Sequence, residues 1–230
     1  MLQSRGRRGD KLSHGRKLAS QTTEVLSKYP GLRLTPSSDG LELVGTLRFS
    51  AEHDGFGLID DEYELSIKIP SRFPRELPKT RDCGKRIPRS FHTNGDRSLC
   101  LGAPARQILA LGKDGTISDY VDLLVIPYLY GYSYFEKHGE LPFGELEHGT
   151  AGLLCEYAKL FGVTSEKAVP DLIRLASMKK RVANKRPCPC GGGKRLGKCH
   201  NRQVNALRDK LGRLWFSDEV RKIQQRSWGS

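Results

Sequence analysis

Residues 188–200 read CPCGGGKRLGKCH and place Cys188, Cys190, Cys199 and His200 within a few turns of chain. A segment this short has no core of its own and needs a cross-link to hold a shape. Three thiolates and one imidazole complete a tetrahedral zinc shell, and the run Gly191–Gly193 lets the chain fold tightly around an ion. Four protein ligands leave no open position, so the expected metal is structural zinc, whose binding supplies folding energy of about 10–16 kcal/mol at such sites. Cys83, Cys100 and Cys155 are dispersed along the rest of the chain. Without a secretion signal, this split argues for reduced thiols plus a metal site rather than a disulfide framework.

Charge divides the 230 residues in a similar way. Residues 1–173 hold 23 Lys and Arg against 23 Asp and Glu, whereas residues 174–230 hold 16 against 3, the whole of the net +13. A neutral part for chemistry and a basic part for attachment to something acidic are expected. No stretch reaches the ~20 apolar residues of a membrane span, and the basic start MLQSRGRRGDKLSHGRK lacks the apolar core of a secretory signal. The expectation is a cytoplasmic protein with no membrane partner.

Apolar spacing predicts a helix over about 15–29, closed by Pro30-Gly31, then strands in LELVGTLRFSA and EYELSIKIP joined by a turn-rich connection. The proline-punctuated stretch 71–88 reads as irregular, with one short strand at most. Thr116 and Asp119 have capping-box spacing ahead of an apolar helix face that Pro127 bends or ends. A second helix is expected at 149–161, and a short helix grading into a basic linker follows. The order indicates an α+β fold, an antiparallel meander sheet flanked by helices, with a small zinc-binding module. The expected divisions are a loose basic N-terminus (1–14), a main domain (15–165), a linker (166–186), the zinc motif (187–203) and a basic aromatic tail (204–230).

Cys100 sits in FHTNGDRSLCLG, between Leu99 and Leu101 and downstream of His92 and Asn94. An acyl group passed between proteins needs a nucleophile that is also a leaving group, and a thiol serves both tasks. Asn94 is a candidate to donate its carboxamide N–H to a developing oxyanion, worth about 3 kcal/mol, or to brace the loop. His92 is read as shaping the loop by side-chain hydrogen bonding rather than as a base. Asp114, Asp119 and His148 are candidates for deprotonating an attacking amine. Cys155, on an apolar helix face, is expected in the core, and Cys83 at the surface.

These pieces together resemble the ubiquitin-conjugating enzymes, in a divergent bacterial form, over roughly residues 15–160. HTN stands where that family has His-Pro-Asn, SLCLG where it has the active-site Cys with its flanking Leu, and GTIS at the start of the following helix. CPCGGGK and KCH likewise resemble the SEC-C zinc motif. The resemblances imply a transferase that carries a modifier or protein C-terminus as a thioester on Cys100. They further imply antiphage defence, with an activating enzyme or a cyclic-nucleotide synthase as partner. The alternative function is a non-catalytic adaptor whose basic zinc tail binds nucleic acid or an acidic protein, with Trp215, Phe216 and Trp228 available to stack on bases. A cysteine hydrolase pairing Cys100 with His92 fits poorly, because papain-type sites place the base far downstream.

Overall fold

A computed structural model describes residues 20–37, 40–142 and 149–227. The chain divides into two compact units, Met1–Gly144 and Glu145–Ser230.

In the first unit, helix α1 (20–28) leads into four strands, β1 (Leu32–Ser37), β2 (Gly40–His53), β3 (Gly57–Pro70) and β4 (Lys79–Asp82). They form one antiparallel sheet in the order β1-β2-β3-β4. The register Leu43↔Ile67, Gly45↔Leu65 and Leu47↔Tyr63 aligns the alternating apolar residues of β2 and β3 on one face. Leu43, Leu47, Leu65 and Ile67 are fully buried there. The meander agrees with the sequence reading, with two differences. LRLTPS forms β1, which the period-2 signal missed because only Leu32 of its residues is buried. The connection expected at 52–61 is a hairpin whose ladder runs to His53↔Gly57, leaving Asp54, Gly55 and Phe56 as the turn.

Helices cover this sheet from the second half of the unit. α2 (Pro104–Leu111) is followed by α3 (Ile117–Tyr120), a π-helical turn (Val121–Val125) and α4 (Ile126–His138). The expected capping box is present: Asp119 N donates to Thr116 Oγ1 at 3.0 Å and Thr116 N to Asp119 Oδ2 at 2.8 Å. Pro127 does not end the helix; it sits in the first turn of α4, just after the π-helical turn. A proline there lacks the N–H that an unbroken α-helix would need, and wider i→i+5 pairing before it relieves the conflict. Ile117, Tyr120, Val121, Val125 and Leu129 are fully buried against the sheet's core cluster.

The second unit is helical: α5 (Gly149–Phe161), a 3-10 turn (Glu166–Ala168), α6 (Val169–Ser177), α7 (Lys180–Ala183), a 3-10 turn (Leu196–Lys198), α8 (Asn201–Leu211) and α9 (Arg213–Ser227). Its extent departs from the expected divisions. α5 packs against α6 and α8 and belongs here, so the division falls at Gly144/Glu145 rather than near residue 165. The short helix expected in the 166–186 linker is present as α6, but its Val169, Leu172 and Ile173 are fully buried, so it is part of the unit's core. Arg208, buried on α8, donates to the carbonyls of Leu175 (2.8 Å) and Ala176 (2.9 Å), satisfying the orphan acceptors at the end of α6. The segment read as a tail carries Phe216 at 0% exposure. Trp215 is half-buried, its Nε1 donating to Tyr157 Oη at 3.2 Å, and Trp228 lies outside the described residues. Cys155 is half-buried rather than core, and Cys83 is exposed as expected.

No helix among the described residues is long and apolar enough to cross a membrane.

Candidate functional site

Two constellations carry chemistry, one in each unit. The first surrounds Cys100, in the loop between β4 and α2. Leu99, the buried half of the leucine bracket, hangs from the sheet by its N–H, which donates to Thr80 O on β4 at 2.8 Å. Cys100 N donates to His92 O at 2.7 Å, and a β-bridge pairs Thr93 with Leu99. The apolar side of the loop is fastened by Phe91, which meets Tyr128, Tyr132 and Phe135 of α4 at ring distances of 5.8, 4.8 and 5.2 Å. Cys100 itself is half-buried, and these bonds fix its backbone.

Asn94 is committed to the loop. Its Nδ2 donates to Ser98 Oγ at 3.0 Å and Leu99 O at 3.3 Å, and its backbone N–H to Ser98 O at 2.8 Å. Of the two roles expected for Asn94, this geometry is that of a brace. Asp96 ties off the same turn, accepting from Ser98 Oγ at 2.6 Å and Lys79 Nζ at 2.6 Å; the Lys79 ammonium holds its carboxyl below the usual range. His92 takes part through its backbone: it adopts φ +35°, and its carbonyl accepts from Cys100 N and, at 3.2 Å, from Tyr128 Oη. A positive φ at a non-glycine residue is a conformation held by its surroundings.

Of the acid and base candidates, Asp114 and Asp119 lie among the described residues. Asp119 is spent in the capping box, its Oδ2 accepting from both the N–H and the hydroxyl of Thr116. Asp114 is exposed beyond α2. His148 lies outside the described residues. Tyr128 is the residue that sequence reasoning passed over. Burial pushes its phenol well above the ordinary value, a hydrogen bond with Thr93 opposes this, and negative charge on Cys100 pushes it further up. Its hydroxyl donates to both Phe91 O and His92 O at 3.2 Å, joining α4 to the strand of loop that holds the cysteine. The run of tyrosines at 128, 130, 132 and 134 was the available signal, but alternate positions on a helix give no single face.

The second constellation is the expected Cys188, Cys190, Cys199 and His200, which the fold brings together with one ligand atom of each within 4.8 Å of the others. Cys188 Sγ and Cys199 Sγ lie 3.3 and 3.2 Å from His200 Nδ1, and Cys190 Sγ lies 3.5 Å from Cys199 Sγ. Bonds of ~2.3 Å to sulfur and ~2.0 Å to nitrogen give a tetrahedron with edges of about 3.5–3.8 Å, so the cluster could hold a metal ion after small outward shifts. The backbone builds this pocket from a short ribbon. Cys188 N donates to Lys194 O at 2.9 Å, Leu196 N to Arg186 O at 2.8 Å, and Gly191 and Gly193 take φ +81° and +68° in the turn between. Gly197 passes so close to the end of α7 that an added Cβ would lie 2.9 Å from Asn184 O. The Gly192 N–H, then the Cys199 and Cys188 thiols, hold the Cys190 thiol below its ordinary value. Cys199, its partner in sharing a proton, is pushed up to about 11, first by that hydrogen bond to Cys190 and then by burial.

No protein-family model matches the chain, and no curated protein matches it either.

Proposed function

We propose that the first unit is a divergent ubiquitin-conjugating-enzyme-like acyl carrier and that Cys100 is its nucleophile. What carries the reading is one observation: Cys100 is half-buried in a loop whose backbone is bonded on both sides, to His92 and, through Leu99, to β4. A thiol held in place yet reachable suits attack on another chain's terminal carbonyl, where positioning lowers the entropic part of the barrier. The thiolate attacks the carbonyl carbon of a C-terminal residue activated by a partner enzyme, the activating group leaves, and a thioester forms. An amine then adds to the same carbon, the C–S bond breaks, sulfur leaves as thiolate, and the amine's proton passes to solvent or buffer. Asn94 acts by holding the loop, and Tyr128 by fixing the His92 carbonyl that receives the Cys100 N–H. The antiparallel meander, the preceding helix and the loop–helix order after β4 support the same reading.

In the second unit the reading is structural zinc, held by Cys188, Cys190, Cys199 and His200. Thiolate and imidazole donors at tetrahedral spacing suit that ion, and a full set of protein ligands leaves no place for substrate.

The test of the carrier is trapping. Cys100→Ser, expressed with its genomic neighbours, is expected to gain the mass of a small protein as a hydroxylamine-sensitive oxyester, and Cys100→Ala to gain nothing. Equal adducts on both variants would remove Cys100 from the reaction.

A further inference from the structure

The metal-cluster ribbon has a property that neither acyl transfer nor metal binding uses. Between Lys179 and Arg202 there are nine Lys and Arg and no Asp or Glu. All nine are exposed. The ion pairs of the second unit lie elsewhere, at Glu156–Lys159, Asp171–Arg174, Asp218–Arg221 and Glu219–Lys222. Among the described residues, none of the nine cations has an anionic partner. The backbone also forces them together. Leu196 N bonds Arg186 O, Cys188 N bonds Lys194 O, Gly197 N bonds Asn184 O, and Pro187 bridges Arg195. Lys185 and Arg186 on one arm therefore face Lys194, Arg195 and Lys198 on the other. Like charges across a ribbon destabilise it, and three thiolates around a dication offset only one unit of positive charge.

We propose that this ribbon is a binding surface for the phosphate backbone of double-stranded nucleic acid. Dense, unpaired cations on an ordered frame gain affinity by displacing condensed counterions from a polyphosphate. Two features favour a duplex over the other polyanions. Residues 179–202 contain no Phe, Tyr or Trp, so base stacking, the main handle on single strands, has no platform on this segment. An acidic protein would instead be expected to meet an apolar interface core, and Val182 is the only large apolar side chain of this segment that stands exposed. Contacts of this kind orient the protein on a duplex without reading its sequence. The proposal does not depend on Cys100 and stands or falls separately from the acyl-carrier reading.

The test uses the full, metal-loaded chain and fluorescein-labelled 20-base-pair duplexes of mixed sequence, followed by anisotropy from about 50 to 200 mM salt. Binding is expected to be independent of sequence and to weaken steeply with salt. In Lys185→Gln/Arg186→Gln/Lys194→Gln/Arg195→Gln, the slope of log affinity against log salt is expected to become shallower by about 3–4 units, with at least about tenfold weaker binding at 100 mM. The double variant Lys185→Gln/Lys194→Gln is expected to show about half that change, so the result does not rest on one protein folding. Metal content and far-UV dichroism confirm that each variant keeps its ribbon. RNA and DNA duplexes run side by side show which form is preferred. Unchanged binding by both variants, tighter binding of single strands than of duplex, or stronger competition by polyglutamate than by duplex would each overturn the proposal.

Discussion

The two units reach a fold by different means. The first has a sheet whose strands β2 and β3 turn Leu43, Leu47, Leu65 and Ile67 into one core, and every helix after it adds to that cluster. The second is helical, with Phe161, Leu172, Ile173 and Phe216 fully buried, but over residues 186–200 it carries a ribbon whose single fully buried apolar side chain is Leu196. Their charges differ as well: residues 1–144 hold 21 Lys and Arg against 18 Asp and Glu, and residues 145–230 hold 18 against 8. A hydrophobic core tolerates many surfaces, whereas a ribbon organised by four ligands leaves nearly all its other side chains outward and free to be basic. Where burial cannot hold a segment, coordination can, and the surface becomes available for another use.

The largest effect expected from this contrast is on metal removal. Chelation should abolish hydrogen-exchange protection over residues 186–200, because the ribbon loses the ~10–16 kcal/mol typical of structural metal binding, while β2 and β3 keep theirs. Equal loss in both units would erase the distinction drawn above. Next, Phe216→Ala should destabilise the second unit by about 3–5 kcal/mol, read as a lower melting transition of that unit alone; a change within ~0.5 kcal/mol would return α9 to the status of a tail.

Gly197→Ala sharpens the comparison at the junction of α7 and the ribbon. The new Cβ would press on the Asn184 carbonyl, and a cost of about 1–3 kcal/mol, with weaker metal retention, is expected by competition against a chelating dye.

Acid separates the units by another route. Burial pushes the Asp61 carboxyl up, but hydrogen bonds from Arg86, Ser133 and the Glu62 N–H outweigh it and bring the value from 3.8 to about 2. Arg86 is held bidentately, at 2.8 and 2.9 Å, and bonds Glu136 as well. A carboxylate depressed in the folded state stabilises it fully above pH ~4, and that contribution disappears as pH falls toward 2. Asp61→Asn should flatten this part of the acid-unfolding curve of the first unit by about 1–2 kcal/mol, discounted because Arg86 is a third open to solvent. The smallest effect is at the start of α3, where Thr116→Ala should cost about 1 kcal/mol through loss of the cap.

Legibility followed the range of the interactions. The helix at 149–161, the Thr116–Asp119 cap and the meander were readable because their signals are local, resting on periodicity and on side chains a few residues apart. β1 was not, since most of its residues stay outside the core and its partner is β2. The linker and tail readings of 166–186 and 204–230 followed charge, and charge on a helix's outer face says nothing about what Leu172 or Phe216 packs against on the inner one. At Cys100 the brace role of Asn94 was legible as one of two expected roles, but the work of His92 through its carbonyl was not, nor was Tyr128, which arrives from α4.

Sequence alone determined the Cys188, Cys190, Cys199 and His200 cluster that could hold a metal ion, because four donors of the right chemistry within one short glycine-rich segment have few other ways to fold. It also determined the alternation that makes the sheet and the basic excess of the second unit. Tertiary structure decided where the units divide, that the Asn94 carboxamide is turned onto Ser98 and Leu99, and that Lys185 and Arg186 face Lys194 and Arg195 across a ribbon. Those outcomes depend on pairings between residues distant in the chain or across a turn, and a one-dimensional pattern carries propensity but not partners.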